Sequence, residues 1–159
     1  MTGDVAAAIV AAATARGATI TTAESCTGGM VAAAITDIAG SSAVFERGFV
    51  TYSNVAKTEM LGVAPSTLDA HGAVSEEVCR EMAEGARQEA GATLAIAISG
   101  IAGPGGSEYK PEGRVCFGIA TAAGVHTETV EYGAPGRAEV RRQATRHALD
   151  MVRDALDRL

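Results

Sequence analysis

The stretch T-I-T-T-A-E-S-C-T-G-G (residues 19–29) joins a strand-like run to a small polar turn and then to a helix. Residues 19–22 are rich in β-branched side chains, as strands are, whereas residues 30–37 are expected to form a short helix. A helix start offers free backbone N–H groups and a partial positive charge, which together can hold a phosphate or a developing oxyanion. The turn in between, with its hydroxyls, thiol and glycines, is therefore the predicted active site.

Strands and helices alternate on both sides of this turn. An uninterrupted apolar run at residues 94–98 predicts a central strand that is covered on both faces. Three strands alternate with helices before a hairpin, which favours a three-layer α/β/α sandwich with a mixed β-sheet. The other predicted elements are a helix over 5–14 capped by Asp4 and ended by Gly17, a strand over 44–52 with Gly48 as a candidate bulge, a brief helix capped by Ser53 or Asn54, a connector over 62–72, a helix capped by Ser75, a hairpin of 115–121 with 127–132, and a closing helix over 137–159.

Size and composition limit the classes of protein to which the chain can belong. With 159 residues, 47% hydrophobic and 4% aromatic, it is expected to fold as one domain, 1–159, with a core of Ala, Val, Ile and Leu. It shows no signal-peptide pattern and no apolar run near the roughly 20 residues of a membrane helix, so a cytoplasmic protein is predicted. The net charge of −6 argues against nucleic acid or an anionic membrane as partner. A small-molecule partner is expected instead.

The motifs predict neither a metal nor a cofactor. The cysteines Cys26, Cys79 and Cys116 are odd in number and widely spaced, so they match neither a disulfide framework nor a zinc site. The loop S-G-I-A-G-P-G-G (99–106) fits neither the P-loop nor the dinucleotide-binding pattern. Because it follows a buried strand, where open α/β sheets bind ligands, this loop is expected to lie near the first turn.

A serine nucleophile in the turn needs a base, and Lys57 is the remaining candidate. The three histidines fall in a predicted connector, hairpin and helix. Lys57 lies four residues after Ser53 and close to a helix start, where burial and the positive helix end both disfavour the ammonium form. Plainer interpretations stay open, since Lys57 can be a solvated surface charge and Ser25 a helix cap.

Cys26 and the arginines of the last helix also have two interpretations each. Cys26 is a rival nucleophile, because a thiol at a helix start has a lowered pKa, but a buried and inert thiol fits the sequence equally well. Arg137 and Arg141 lie one turn apart and can bind a phosphate, whereas Arg142 and Arg146 fit a solvated helix face.

Seven short motifs, spread in order over nearly the whole chain, together resemble the CinA C-terminal domain family. They are A-E-S-C-T-G-G (23–29), G-S-S (40–42), T-Y-S-N-V-A-K (51–57), H-G-A-V-S (71–75), S-G-I-A-G-P-G-G (99–106), K-P-E-G (110–113) and G-R-A-E-V-R (136–141). The chain is most similar to stand-alone members of the family. The resemblance implies a homodimeric, metal-free serine amidohydrolase that converts nicotinamide mononucleotide to nicotinate mononucleotide and ammonia, in pyridine nucleotide salvage.

The resemblance also implies roles for individual residues. Ser25 is expected to be the nucleophile and Lys57 the general base, with Tyr52 and Ser42 close by to orient the pair or relay the proton. Ser99, where many relatives have threonine, is expected to contact the substrate or the intermediate. The remaining expected substrate-binding residues are Thr27 and Gly28 in the first turn, Gly100 in the second loop, and Arg137 or Arg141 as phosphate ligands.

Two motifs depart from the family pattern at places where substrate contacts are expected. The usual G-D-R before the last helix is P-G-R at 135–137, and the usual G-P-D-G-G is shortened to G-P-G-G at 103–106. Two rival functions follow from the same residues. One is a catalytically silent module that holds a mononucleotide, and the other is a thiol enzyme that uses Cys26.

Overall fold

Five strands form one mixed sheet in the computed structural model, which describes residues 2–159. The strand order is β2-β1-β3-β4-β5, with β1, β2 and β3 parallel and β4 and β5 antiparallel to their neighbours. The three-layer α/β/α sandwich with a mixed sheet that the sequence predicts is thereby confirmed. The strands are β1 (Ile20–Glu24), β2 (Phe45–Val50), β3 (Leu94–Gly100), β4 (Arg114–Thr121) and β5 (Gly124–Glu131).

Helices cover both faces of the sheet. The first, second and last helices pack on one face, while the fifth packs on the other and carries the third and fourth against it. None of the helices in residues 2–159 has the length and apolar character that crossing a membrane requires. The helices are α1 (Gly3–Arg16), α2 (Met30–Thr36), α3 (Asn54–Leu61), α4 (Pro65–His71), α5 (Glu76–Ala90) and α6 (Arg137–Asp157).

The central strand β3 explains why two hydrophobic clusters form. Residues 94–98 are fully buried, and their side chains alternate between the two faces of the sheet. Leu94, Ile96 and Ile98 join the cluster under α1, α2 and α6, whereas Ala95 and Ala97 join the cluster under α5. The apolar run at 94–98 therefore marks a strand buried on both sides, as the sequence indicates.

Three local predictions are wrong. Helix α1 already begins at Gly3, so Asp4 lies in its first turn and does not cap it. The irregularity between β1 and β2 falls at Glu46 rather than at Gly48. Gly48 instead leaves room for the Thr22 hydroxyl, which lies 2.8 Å from where a Cβ of residue 48 would be. The connector 62–72 contains α4, because Pro65 opens a helix at the position where a missing N–H costs nothing.

The topology brings two chain segments together at the carboxyl ends of β1 and β3. The chain leaves β1 toward β2 through α2 on one face and returns from β2 to β3 through α3, α4 and α5 on the other. Such a reversal opens a crevice between neighbouring parallel strands, where α/β sheets bind ligands. The Ser25 N–H, just after β1, donates to the Ile98 carbonyl of β3 at 2.9 Å, so both predicted loops start from this crevice.

Gly85 of α5 is expected to be indispensable for the packing of α3 on α5. A Cβ at Gly85 would lie 1.8 Å from the Leu61 carbonyl oxygen, whereas a Cβ at Gly3 would have no neighbour within 4 Å. Gly85→Ala should therefore lower the free energy of unfolding by about 1–3 kcal/mol, despite the better helix propensity of alanine. Urea unfolding, with Gly3→Ala as the matched control, measures this. Equal stability of the two variants would contradict the packing described here.

Candidate active site

Ser25 and Lys57 face each other in the crevice. The Nζ atom of Lys57, in α3, lies 3.0 Å from the Oγ atom of Ser25, which follows β1. Only 1% of Lys57 and 7% of Ser25 is exposed. The hydroxyl of Ser53 caps α3 by accepting from the Ala56 N–H, which fixes the helix that carries the lysine. Two residues 32 positions apart in the sequence are thus brought into hydrogen-bond contact.

Burial makes the neutral amine form of Lys57 more accessible than that of a solvated lysine. Burial lowers the pKa of Lys57, and no acidic side chain in residues 2–159 forms an ion pair with it. Nζ also contacts the carbonyl oxygens of Thr51 at 2.9 Å and Tyr52 at 3.2 Å. A neutral amine donates its two N–H groups to these two carbonyls and keeps its lone pair for the Ser25 hydroxyl proton. This is the arrangement that a general base for Ser25 requires.

The start of α2 is occupied by a carboxylate of the chain itself. Glu24, for which the sequence analysis gave no role, is fully buried. Its Oε1 accepts from the Thr27 hydroxyl at 2.6 Å and from the N–H groups of Gly29 and Val31, and its Oε2 accepts from the Ala32 N–H at 3.0 Å. The N–H groups at the start of α2 are therefore not free for a phosphate or an oxyanion, and the prediction of an oxyanion site depends on the turn before them. The sequence did carry a signal for this role of Glu24, because it is an acidic residue shortly before α2, whose N-cap is a glycine without a capping side chain.

Two N–H groups of the turn make no hydrogen bond to a backbone carbonyl or to Glu24. The Gly28 N–H donates to the Ser25 carbonyl at 3.0 Å, but those of Cys26 and Thr27 donate to no other residue in the part of the chain that the structure describes. The residue that follows a serine nucleophile commonly supplies one donor of the oxyanion hole. Cys26 lines the cavity, whereas Thr27 is fully buried and does not, so the candidate oxyanion donors are narrowed from the region 26–29 to the Cys26 N–H.

A cavity of about 320 Å³ opens beside this pair. Its volume suits a small organic ligand. Besides Lys57, its charged lining residues are Glu108, Lys110 and Arg137. The two predicted segments, the first turn and the loop after β3, both contribute to the wall.

Four of the predicted site residues line the cavity beside Ser25 and Lys57. They are Tyr52, Ser99, Gly100 and Arg137. Ser99 is 1% exposed, and its hydroxyl has no hydrogen-bond partner among residues 2–159. Gly100 keeps β3 close to β4, because a Cβ there would lie 2.7 Å from Val115.

Arg137 donates to the Gly103 carbonyl and to the Tyr52 hydroxyl, both at 2.8 Å. The Tyr52 hydroxyl therefore contacts Arg137, not Ser25 or Lys57, and a proton relay through it lacks the expected contact.

The other predicted site residues lie outside the cavity lining. Ser42 is exposed in the 3-10 turn before β2, at the end of the strands opposite to Ser25, so it cannot orient the pair within this chain. Thr27 turns its hydroxyl to Glu24, as described above. Gly28 has φ +57° and packs against the Arg141 guanidinium, 3.3 Å from where its Cβ would be. Arg141 itself binds backbone carbonyls of the turn, at Cys26 and Thr27.

Two charged residues that the sequence analysis left without a role organise the walls. Lys110 donates to the carbonyls of His71 at 2.6 Å and Val74 at 2.7 Å, and so holds the segment before α5 against the cavity. Glu112 accepts from the Gly105 N–H at 2.8 Å and holds the shortened glycine loop. Both belong to the K-P-E-G motif, which was the only signal for them in the sequence.

Cys26 is a poor rival for Ser25. Burial raises the pKa of the Cys26 thiol to about 12, so hardly any thiolate forms near neutral pH. Its partner in a thiol mechanism would have to be a group that faces its sulfur, but Lys57 hydrogen-bonds Ser25 instead. Within residues 2–159, no group of three or more His, Cys, Asp or Glu side chains could hold a metal ion.

A family model, that of the CinA C-terminal domain, matches residues 2–156 of this chain. The chain belongs to the CinA C-terminal domain family. It is 63% identical over 139 residues to nicotinamide-nucleotide amidohydrolase PncC of Escherichia coli K12, a match that covers 87% of this chain and 84% of that protein.

Solved structures show the same fold. The competence/damage inducible protein CihA of Agrobacterium tumefaciens has a TM-score of 0.94 and 47% identity, and the alignment covers 98% of this chain and 95% of that one. A CinA superfamily protein from Klebsiella pneumoniae has a TM-score of 0.95 and 39% identity, and covers 100% of this chain and 99% of that one. The mixed sheet and its helices are thus those of the CinA family.

All three cysteines should resist alkylation in the native protein. Cys26, Cys79 and Cys116 are buried, and burial raises the pKa of each thiol. Because the thiolate is the reactive form, labelling by iodoacetamide at pH 8 should be at least about 100-fold slower than in urea-unfolded protein. Mass spectrometry of timed samples measures the rate at each cysteine. Fast and selective labelling of Cys26 in the native protein would contradict its description as an inert thiol.

Proposed function

We propose that this protein is a serine amidohydrolase that hydrolyses the carboxamide of nicotinamide mononucleotide to nicotinate mononucleotide and ammonia. The observation that carries the proposal is the 3.0 Å contact between the Lys57 amine and the Ser25 hydroxyl at the wall of a cavity. The 63% identity to the Escherichia coli nicotinamide-nucleotide amidohydrolase supports the choice of substrate. Pyridine nucleotide salvage is the metabolic role that this reaction would serve.

In the acylation step, Ser25 attacks the carbonyl carbon of the carboxamide. Lys57 takes the hydroxyl proton as the Oγ–C bond forms, and the carbonyl oxygen becomes an oxyanion that the Cys26 N–H stabilises. Lys57 then returns the proton to the amide nitrogen, the C–N bond breaks and ammonia leaves. An ester between Ser25 and the nicotinoyl group remains.

In the second step, a water molecule hydrolyses that ester. Lys57, neutral again after ammonia has left, takes a proton from the water as its oxygen attacks the ester carbonyl. The second tetrahedral intermediate is stabilised by the same N–H group. Its collapse breaks the Oγ–C bond, and Lys57 protonates the departing Ser25 oxygen. The carboxylic acid that forms releases its proton to the solvent, and nicotinate mononucleotide leaves as a carboxylate.

Charges around the cavity suit the two ends of the substrate. Nicotinamide mononucleotide carries a cationic pyridinium ring and an anionic phosphate. Arg137 is the arginine that lines the cavity, and a guanidinium binds phosphate well, so we assign the phosphate to Arg137 rather than to Arg141. Glu108, which also lines the cavity and has no ion-pair partner in residues 2–159, faces the same space with the opposite charge.

Removal of either member of the pair should abolish ammonia release. Ser25→Ala and Lys57→Met should each lower kcat by roughly 10³-fold or more, and the double variant should be little worse than either, since the two act as a unit. Ser66→Ala is the matched control, because Ser66 is exposed on α4 and away from the cavity. Ammonia released from nicotinamide mononucleotide by folded protein is the measurement.

The rival functions give different results in this assay. A silent mononucleotide-binding module would bind nicotinamide mononucleotide, detected by calorimetry, without releasing ammonia. A thiol enzyme would lose activity in Cys26→Ser and keep it in Ser25→Ala. The homodimer and the cytoplasmic location expected from the sequence stay predictions.

A further inference from the structure

The guanidinium of Arg141 hydrogen-bonds the backbone of the turn that carries Ser25. Its Nε donates to the Cys26 carbonyl at 3.0 Å, and its Nη2 lies 3.5 Å from the Thr27 carbonyl. The side chain is half-buried and does not line the cavity, in contrast to Arg137 one helical turn earlier. A guanidinium placed in this way recognises the chain itself and not a ligand in the cavity.

The contact determines where the Thr27 N–H points. The Cys26 carbonyl and the Thr27 N–H belong to one trans peptide, in which the two groups point in opposite directions. Arg141 holds the carbonyl end of this peptide, so the N–H end is directed away from Arg141 and is left without an acceptor in residues 2–159. The preceding peptide is held in the same manner, because the Ser25 carbonyl accepts from Gly28 and the Cys26 N–H is opposite to it.

The turn is shaped to admit this guanidinium. Gly28 adopts φ +57°, and a Cβ there would lie 3.3 Å from Nη2 of Arg141. A side chain at this position would be strained and would press on the arginine. On the other side, the buried Glu24 carboxylate holds the Thr27 hydroxyl and the first N–H groups of α2. The two charged groups therefore hold the turn from opposite ends.

We infer that Arg141 is a positioning residue, which fixes the Cys26–Thr27 peptide and with it the turn that presents Ser25 and the Cys26 N–H, the oxyanion donor at the cavity wall. The inference rests on the proposed amidohydrolase function and deepens it. A donor that the surrounding structure already holds in place stabilises the oxyanion without a cost of reorganisation during the reaction. Because the charge on the substrate oxygen develops only in the transition state, the benefit belongs to kcat and not to substrate binding.

Steady-state kinetics of arginine variants test this inference. Arg141→Gln should lower kcat for nicotinamide mononucleotide about 100-fold or more, with KM changed less than about threefold. Arg141→Lys, which keeps a cation and one donor for the Cys26 carbonyl, should recover part of the lost kcat. Arg142→Gln is the matched control on the same helix, since Arg142 is exposed and pairs with Glu139. The thermal midpoint of each variant checks that it is folded.

Each outcome supports or overturns the inference. Folded Arg141→Gln with wild-type kcat overturns it, and so does a raised KM with unchanged kcat, which is the pattern of a phosphate ligand. If Arg141→Gln does not fold, Arg141→Lys decides, because a folded variant with wild-type kcat and raised KM again overturns the positioning role. Wild-type protein that releases no ammonia contradicts the proposed function itself, and this inference with it.

Discussion

A buried lysine without a counter-charge is the constraint on which the rest of this site depends. An ammonium group in such a place is unfavourable unless it is paired, and the neighbours of Lys57 are two carbonyls and one hydroxyl instead of a carboxylate. Burial therefore lowers the pKa of Lys57 and makes its neutral amine more accessible; that amine needs two acceptors and one proton donor. The Thr51 and Tyr52 carbonyls are the acceptors, and Ser25 is the donor.

The sheet brings Ser25 and Lys57 together, and charged side chains hold the turn that carries Ser25 in its conformation. The ends of β1 and β3 meet where the chain reverses direction, so the first turn and the glycine loop share one crevice. Glu24 and Arg141 then hold the turn at Thr27 and at Cys26, through contacts made by groups that do not line the cavity. An active site for amide hydrolysis here needs the backbone as much as the two reacting side chains.

The sequence predicts those features that local pattern determines. The apolar run 94–98 indicates a central strand, and Ser25 and Lys57 lie next to recognisable caps and turns. Prediction from the sequence fails for features that depend on tertiary contacts. Arg137 and Arg141 look alike one turn apart on α6, yet the first faces the cavity and the second faces the backbone 115 residues away from it in sequence. Ser42 is near in motif order but at the wrong end of β2.

The most direct test is an NMR titration of the chain's two lysines, Lys57 and Lys110, labelled with ¹³C at Cε. The signal that is lost in Lys57→Met belongs to Lys57, and the signal that remains belongs to Lys110. Burial should make Lys57 lose its proton at a pH below the ordinary lysine value of about 10.4, so that the neutral base is present at lower pH than for a solvated lysine. A lowered pKa supports the account of Ser25 activation. A Lys57 pKa at or above the ordinary value would contradict it.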